Sequence, residues 1–405
     1  MFWKKINLRS IHVRFCLRMN EEMKILLWSI CSPWTINFVE NFLVKNNYEV
    51  WILLNTSNKK ESKEYIDFFE SGRLHLVELP PLISEINEGK AQGDLFKNFY
   101  GRFLRLKTII KSGPFDVINM QFVRFTDLAD VILLKYLMKS KLILSYWGSD
   151  LFRVNRKELT AQGKYVRHAD FITFDNIDLE IEFKKICRKK IPSKVVLFGL
   201  PVLDIIDKTS RKMADEDIRR QWGIAKDKIV IAIGYNGIPQ QQHKKVLSAI
   251  SKLDKQYKEK VVLLLQMSYG GSKEYRKAVI NAVKKTGYEY IVIQHFLSND
   301  EVAELRIITD IFINAQTTDA FSGSVCEYLF ANTMLINAKW LRYKEFEKYN
   351  FQYLEFQCFN EIPLLISQVM ENEIDVSKNK ELVWKLRSWE YCAPRWKEIY
   401  KRMCK

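Results

Sequence analysis

Residues 311–337 read IFINAQTTDAFSGSVCEYLFANTMLIN. The apolar run Ile311–Asn314 is short and bounded by polar turn residues, which predicts a strand buried on both faces. Ser322-Gly323-Ser324 then opens a segment with helical spacing, Ser324–Ala331. A second apolar run, Met334–Asn337, predicts the next strand. Strand, loop, helix and strand in this order form the repeating unit of a parallel sheet.

The same alternation extends in both directions. In the second half, strands are predicted at Lys228–Ile233, Val261–Gln266 and Tyr290–Ile293. Helices are predicted at Ala214–Trp222, Gln242–Leu253, Glu274–Thr286, Asp300–Ile308 and Glu361–Glu371, with one long helix at Glu381–Met403. In the first half, the strands are Ile25–Trp28, Val50–Leu54, Leu74–Leu79, Val117–Met120, Leu142–Tyr146, Phe171–Phe174 and Val195–Phe198. Between them lie helical patterns at Thr35–Lys45, Glu61–Glu70, Leu95–Lys111, Thr126–Met138, Arg156–Tyr165 and Asp178–Arg188. The expected fold is α/β, two Rossmann-like domains facing each other across a cleft. The expected divisions are a basic extension at 1–22, an N-terminal domain at 23–202, a C-terminal domain at 203–375, and a crossing-back helix at 376–405. That last segment carries Trp384, Leu386, Trp389, Tyr391 and Trp396, an apolar load that predicts packing on the N-terminal domain.

Composition narrows the function. The 405 residues are 47% hydrophobic and 28% charged, a globular balance that excludes global disorder. No apolar run reaches the roughly 18 residues a membrane span needs. Net charge is +16, divided as +9 over residues 1–204 and +7 over the rest. Charge this diffuse gives no basic arm, so nucleic acid is not an expected partner. It suits anionic small molecules and an anionic membrane face equally. Seven scattered cysteines without a C-x-x-C pair argue against a disulfide framework or structural zinc and fit a reducing, cytoplasmic setting. Trp34, Phe38, Phe42 and Lys45 could form an amphipathic membrane face, or the apolar three could be core.

In parallel sheets, ligands bind beyond the carboxyl ends of strands. The Ser322-Gly323-Ser324 step can cradle a phosphate on free N–H groups at a helix start, or the serines can simply be N-caps. Glu327, one turn inside that helix, can accept the two hydroxyls of a ribose, or complement the helix dipole. After Lys228–Ile233 comes Gly234-Tyr235-Asn236-Gly237, where glycine permits close backbone approach. His243 and Lys244 follow as cationic donors to a pyrophosphate; the plainer reading is a glycine turn with exposed lysines. Loops holding Tyr269 and His295 can cradle a nucleobase, although His295 fits a structural role as well. In the first half, Tyr146-Trp147-Gly148-Ser149-Asp150 leaves a strand. Asp150 can bind a hydroxylated acceptor or cap the next helix. Gln121 ends the preceding strand and, with Trp147, lines the acceptor side.

Asp319 and Glu327 stand eight apart, followed by Ala331-Asn332-Thr333 and a strand, and preceded by Leu297-Ser298-Asn299-Asp300-Glu301. With Gly148-Ser149-Asp150, this layout resembles the retaining glycosyltransferases of the GT-B fold, the family 4 class. The stretch Leu265-Gln-Met-Ser-Tyr269-Gly is also similar to 4-acetamido-4,6-dideoxygalactose transferases that act on lipid-linked sugars. Two departures are visible: the loop Ser29–Thr35 lacks the usual glycine pair, and the usual Arg–Lys pair is reduced to His243 and Lys244.

The resemblance implies that Glu327 binds the ribose of a nucleotide-sugar and Asp319 the donor sugar's hydroxyls. Backbone groups of Ser322, Gly323 and Ser324 would meet the diphosphate, with Lys244 neutralising the leaving group. Gly234, Asn236, His243, Tyr269 and His295 complete the implied donor site, and Asp150 is the candidate base. It further implies retention of configuration, no metal and no cofactor. The acceptor would be a glycan or a polyprenyl-diphosphate-linked sugar of surface polysaccharide (O-antigen or capsule) synthesis, used at the inner face of the cell membrane. A degenerate GT-B scaffold or an epimerase-like enzyme are the alternatives.

Overall fold

The computed structural model describes residues 23–29, 32–55, 74–80, 95–187 and 189–404. The expected extension at 1–22 and helix at Glu61–Glu70, with Cys16 and Cys31, lie outside the described residues. Thirteen strands are described, β1 to β13 in chain order. The first seven are β1 (Lys24–Trp28), β2 (Glu49–Asn55), β3 (Leu74–Leu79), β4 (Val117–Gln121), β5 (Lys141–Tyr146), β6 (Phe171–Phe174) and β7 (Ser193–Val195). The remainder are β8 (Ile229–Ile233), β9 (Val261–Gln266), β10 (Glu289–Ile293), β11 (Ile311–Asn314), β12 (Met334–Ala338) and β13 (Leu354–Phe356).

The strands form two parallel sheets, of order β3-β2-β1-β4-β5-β6-β7 and β10-β9-β8-β11-β12-β13. In the first, Leu26 of β1 lies opposite Trp51 on one side and Ile118 on the other. In the second, Ala232 of β8 lies between Leu264 and Phe312. These central positions are almost wholly buried, which is why the strands read as unbroken apolar runs.

The chain forms two compact units. The first takes in the described residues up to Ser145, with Tyr165–Phe171 and the end of the chain from Tyr400. Phe38 and Phe42 are core here, their rings tilted against one another, and Tyr400 packs on Phe42 and Tyr48. Tyr400 also accepts a 2.6 Å bond from the buried Asn119 amide. Of the candidate membrane face, only Trp34 and Lys45 are exposed. The second unit comprises Tyr146–Lys164 and Ile172–Ile399.

Several elements differ from the sequence expectation for local reasons. The helix expected at Thr35–Lys45 starts at Pro33, capped by Ser32, and widens into a π-helical turn at Val39–Leu43. The strand expected at Val195–Phe198 ends at Val195. Beyond it, the Leu197 carbonyl accepts the Trp396 indole and the Phe198 N–H donates to Asp175, so side chains replace the ladder. A helix at Val202–Lys212 follows directly from Pro201, whose φ of −63° suits a helix start. The expected Glu381–Met403 helix is two, Lys378–Arg387 and Trp389–Met403, broken at an extended Ser388. The cause lies at Arg387: its carbonyl is taken by the Leu200 N–H, and its guanidinium binds Asp175 at 3.0 Å and the Phe321 carbonyl at 2.5 Å.

Candidate active site

The second sheet reverses its strand order between β8 and β11, so loops leaving these two strands diverge at their carboxyl ends. Asp319, in the loop after β11, is held by three donors. Tyr343 Oη donates to Oδ2 at 2.7 Å, the Ser322 N–H to the same oxygen at 3.2 Å, and Tyr235 Oη to Oδ1 at 3.4 Å. Each phenol is oriented in turn by an amide: Gln316 Nε2 donates to Tyr235 at 2.6 Å and Asn314 Nδ2 to Tyr343 at 2.9 Å. An amide nitrogen has only protons to give, so each phenol's own proton is directed at Asp319. Burial, helped by the Asp319 charge, pushes both phenols well above their usual pKa, which keeps them neutral donors.

Glu327 lies one turn into the helix Gly323–Phe330 and is nearly buried. Its Oε2 accepts Arg306 Nε at 3.1 Å and Nη2 at 3.0 Å. Arg306 is 1% exposed, donates from Nη1 to Gln266 Oε1 at 3.1 Å, and lies 4.1 Å above the Tyr328 ring. Sequence reasoning did not single out Arg306. The available signal was an arginine on the same helix face as Ala303, among buried positions.

The loops after β8 and β9 run backbone against backbone. The Gly237 N–H donates to the Tyr269 carbonyl at 2.8 Å. A Cβ on Gly271 would stand 1.9 Å from the Gly237 carbonyl oxygen, and one on Gly270 2.5 Å from Ile238 Cγ2. Asn236 is buried and its Oδ1 accepts the Ile238 N–H at 3.1 Å. Gly234 has a φ of +63°, and a Cβ there would meet Gln241 Oε1 at 2.8 Å. Gln241 is fully buried with neither amide atom hydrogen-bonded.

His243 opens the helix His243–Ile250, wholly buried, with Nδ1 3.2 Å from Tyr275 Oη. Burial pulls its pKa down to about 4, so the imidazole is neutral at pH 7. The expectation of a cationic His243 gives way to a neutral hydrogen-bonding group. Lys244 beside it is exposed and makes no ion pair among the described residues. Tyr269 is half-exposed, and His295 is exposed 3.5 Å from Glu301. Ser322 occupies the N-cap position of its helix without a side-chain capping bond, while Gly323 is buried and Ser324 half-buried.

The loop Trp147–Asp150 belongs to this same unit. Asp150 is 2% exposed and accepts the N–H groups of Trp147 at 3.0 Å and Gly148 at 2.7 Å, so it caps its own turn. Gly148, at φ +141°, has no room for a Cβ, which would lie 2.6 Å from Ala320 Cβ. Arg153 donates to Thr318 Oγ1 at 3.2 Å, and Asn176 to the Ala320 carbonyl at 2.8 Å. Gly148, Arg153 and Asn176 thus join Tyr235 and Tyr343 in fixing the segment that carries Asp319. Gln121, buried at the end of β4, lies in the first unit. Among the described residues, no three His, Cys, Asp or Glu side chains gather as they would around a metal ion.

Two sheets of this topology define the GT-B architecture, the expected fold. No family model matches the sequence, and no curated protein does. Among solved structures, the chain is similar to a glycosyltransferase from Rickettsia africae, at TM-score 0.75 and 13% identity over 95% of this chain and 99% of that one. It is similar to HepE of Anabaena, solved with UDP and glucose, at TM-score 0.71 and 13% identity over 94% of this chain and 100% of that one. Sucrose-phosphate synthase from Thermosynechococcus elongatus follows at TM-score 0.69 and 12% identity, covering 94% of this chain and 99% of that one.

Proposed function

We propose that this protein is a glycosyltransferase that moves a sugar from a nucleotide-sugar to a glycan acceptor. One observation carries the reading. Two carboxylates, Asp319 and Glu327, stand after β11, one held by phenols and a backbone N–H, the other by a buried guanidinium. Such preorganised acceptors suit a polyol ligand better than they suit packing. Glu327 Oε1, the oxygen that takes neither Arg306 bond, would accept the ribose hydroxyls, and Asp319 those of the donor sugar. The N–H groups at the start of the helix Gly323–Phe330 would meet the diphosphate. Lys244, exposed and without an ion pair among the described residues, would neutralise the leaving group. His243 would contribute hydrogen bonding without charge. UDP and UDP-glucose, the ligands of HepE, are the first donors to try. Retention of configuration, independence from metal and a lipid-linked acceptor extend the proposal; the net charge of +16 favours an anionic acceptor or surface.

The test is a thermal-shift panel of nucleoside diphosphates and nucleotide-sugars with EDTA present. A true ligand at about 100 times its Kd adds about 2.7 kcal/mol of stability. A shift confined to one base supports the donor site and names the nucleotide. No shift with any nucleotide, with or without magnesium, together with no consumption of nucleotide-sugar, would overturn the proposal in favour of a degenerate scaffold.

A further inference from the structure

The helix Leu95–Ser112 in the first unit is 18 residues long and carries five basic side chains and no acidic one. Its inner side is anchored. Ile109 is fully buried, Arg102 pairs with Asp130 at 2.8 Å, and Arg105 donates to the Pro80 carbonyl at 2.7 Å. Its outer side is not polar. Phe99 is 72% exposed, Tyr100 56%, Phe103 54% and Ile110 44%. At 3.6 residues per turn, these four and the exposed Lys107 and Lys111 fall within an arc of about 120°. The neighbouring helix Phe125–Met138 adds exposed Leu133, Tyr136 and Leu137. Its two acids are already engaged, Asp130 by Arg102 and Asp127 by Arg124 and the Trp28 indole.

We infer that this face docks on an anionic lipid bilayer, with the helix Leu95–Ser112 lying in the plane of the headgroups. Aromatic rings at the surface suit the boundary between headgroup and acyl chain, and lysines can extend from it to lipid phosphates. The interleaving decides between lipid and protein. Lys107 sits on the apolar arc between Phe103 and Tyr100, and lysine is depleted from the dry cores of protein interfaces. No described helix is long and apolar enough to cross a membrane, so the contact is peripheral. The inference goes beyond the glycosyl-transfer reading and does not depend on it.

The experiment is flotation of the full chain with vesicles of phosphatidylcholine alone or mixed with phosphatidylglycerol, without any sugar nucleotide. The variants are Phe99→Ser with Phe103→Ser, and separately Lys107→Glu with Lys111→Glu, each checked for wild-type melting by circular dichroism. The expected result is binding to the anionic vesicles only, weakened at least tenfold by either pair and by high salt. Equal binding to both lipids, binding to neither, or wild-type binding by the folded variants would overturn it. So would a dimer in gel filtration that the variants dissociate while vesicles are ignored. Because no substrate is present, a negative result here leaves the nucleotide panel to decide glycosyl transfer separately.

Discussion

Both bonds from the Arg306 guanidinium to Glu327 fall on a single carboxylate oxygen, Oε2, at 3.1 and 3.0 Å. The pair therefore engages one oxygen and leaves Oε1 outside the Arg306 bonds. Glu327→Gln would leave a buried guanidinium without its counter-charge, which costs about 3–5 kcal/mol. It should also weaken nucleotide-sugar binding at least tenfold. A double variant, Arg306→Met with Glu327→Gln, removes the stranded charge and should recover most of the stability but not the binding. Denaturant unfolding and titration calorimetry on the three proteins separate the two effects. Wild-type affinity in the double variant would remove Glu327 from the ribose.

Tyr343 gives its proton to Asp319 at 2.7 Å and accepts from Asn314, which also bonds Asn337. Tyr343→Phe therefore leaves Asn314 its bond to Asn337, while one Asn314 N–H loses an acceptor and Asp319 loses a donor. The stability loss should be small, about 1 kcal/mol. If Asp319 orients the donor sugar, kcat should fall at least tenfold with little change in nucleotide affinity. An unchanged kcat in a folded Tyr343→Phe protein would make the phenol a packing residue.

The fold was legible because parallel strands buried on both faces leave an unmistakable trace, and the loops at their carboxyl ends can be located without knowing the contacts. Glu327 was singled out this way, and Asp319 by the eight-residue spacing that carries the family resemblance. Their partners were not. Tyr343 follows β12 in a segment without glycine or apolar alternation, and Arg306 lies on a short helix whose outer residues are charged. Their roles depend on which loops meet, and that is decided by strand order across the β8–β11 switch. Asp150 illustrates the converse: sequence left capping and ligand binding equally open, and three-dimensional structure shows the carboxylate bonded to its own turn. β13 escaped notice because three residues with Glu355 at the centre show no period.

Gly271 and Gly223 share a positive φ, +66° and +70°, but not a neighbourhood. A Cβ at 271 would collide with the Gly237 carbonyl at 1.9 Å, whereas nothing lies within 4 Å of one at 223. Gly223→Ala should cost only backbone strain, about 1 kcal/mol. Gly271→Ala must also part the loops after β8 and β9, and the combined loss should reach about 3 kcal/mol. Loss of the tyrosine and asparagine positions on those loops should lower nucleotide affinity as well. Equal melting temperatures for the two variants would show that the loops separate freely.

His243 is buried within the fold, and its pKa there is about 4 against 6.5 for the free side chain. Folding therefore makes the imidazole harder to protonate. Above pH 6.5 the folded and unfolded chains are both neutral at this position, and its contribution to stability is complete. As pH falls from 6.5 towards 4, the unfolded chain takes up the proton first and the fold loses up to about 3 kcal/mol. His243→Gln removes the titration and should flatten this part of the stability curve relative to the native protein. Urea unfolding at pH 7.5, 6, 5 and 4.5 measures the difference between the two proteins. Parallel curves over that range would mean that His243 reaches solvent and can carry charge, which would return it to the role of a cationic donor beside Lys244.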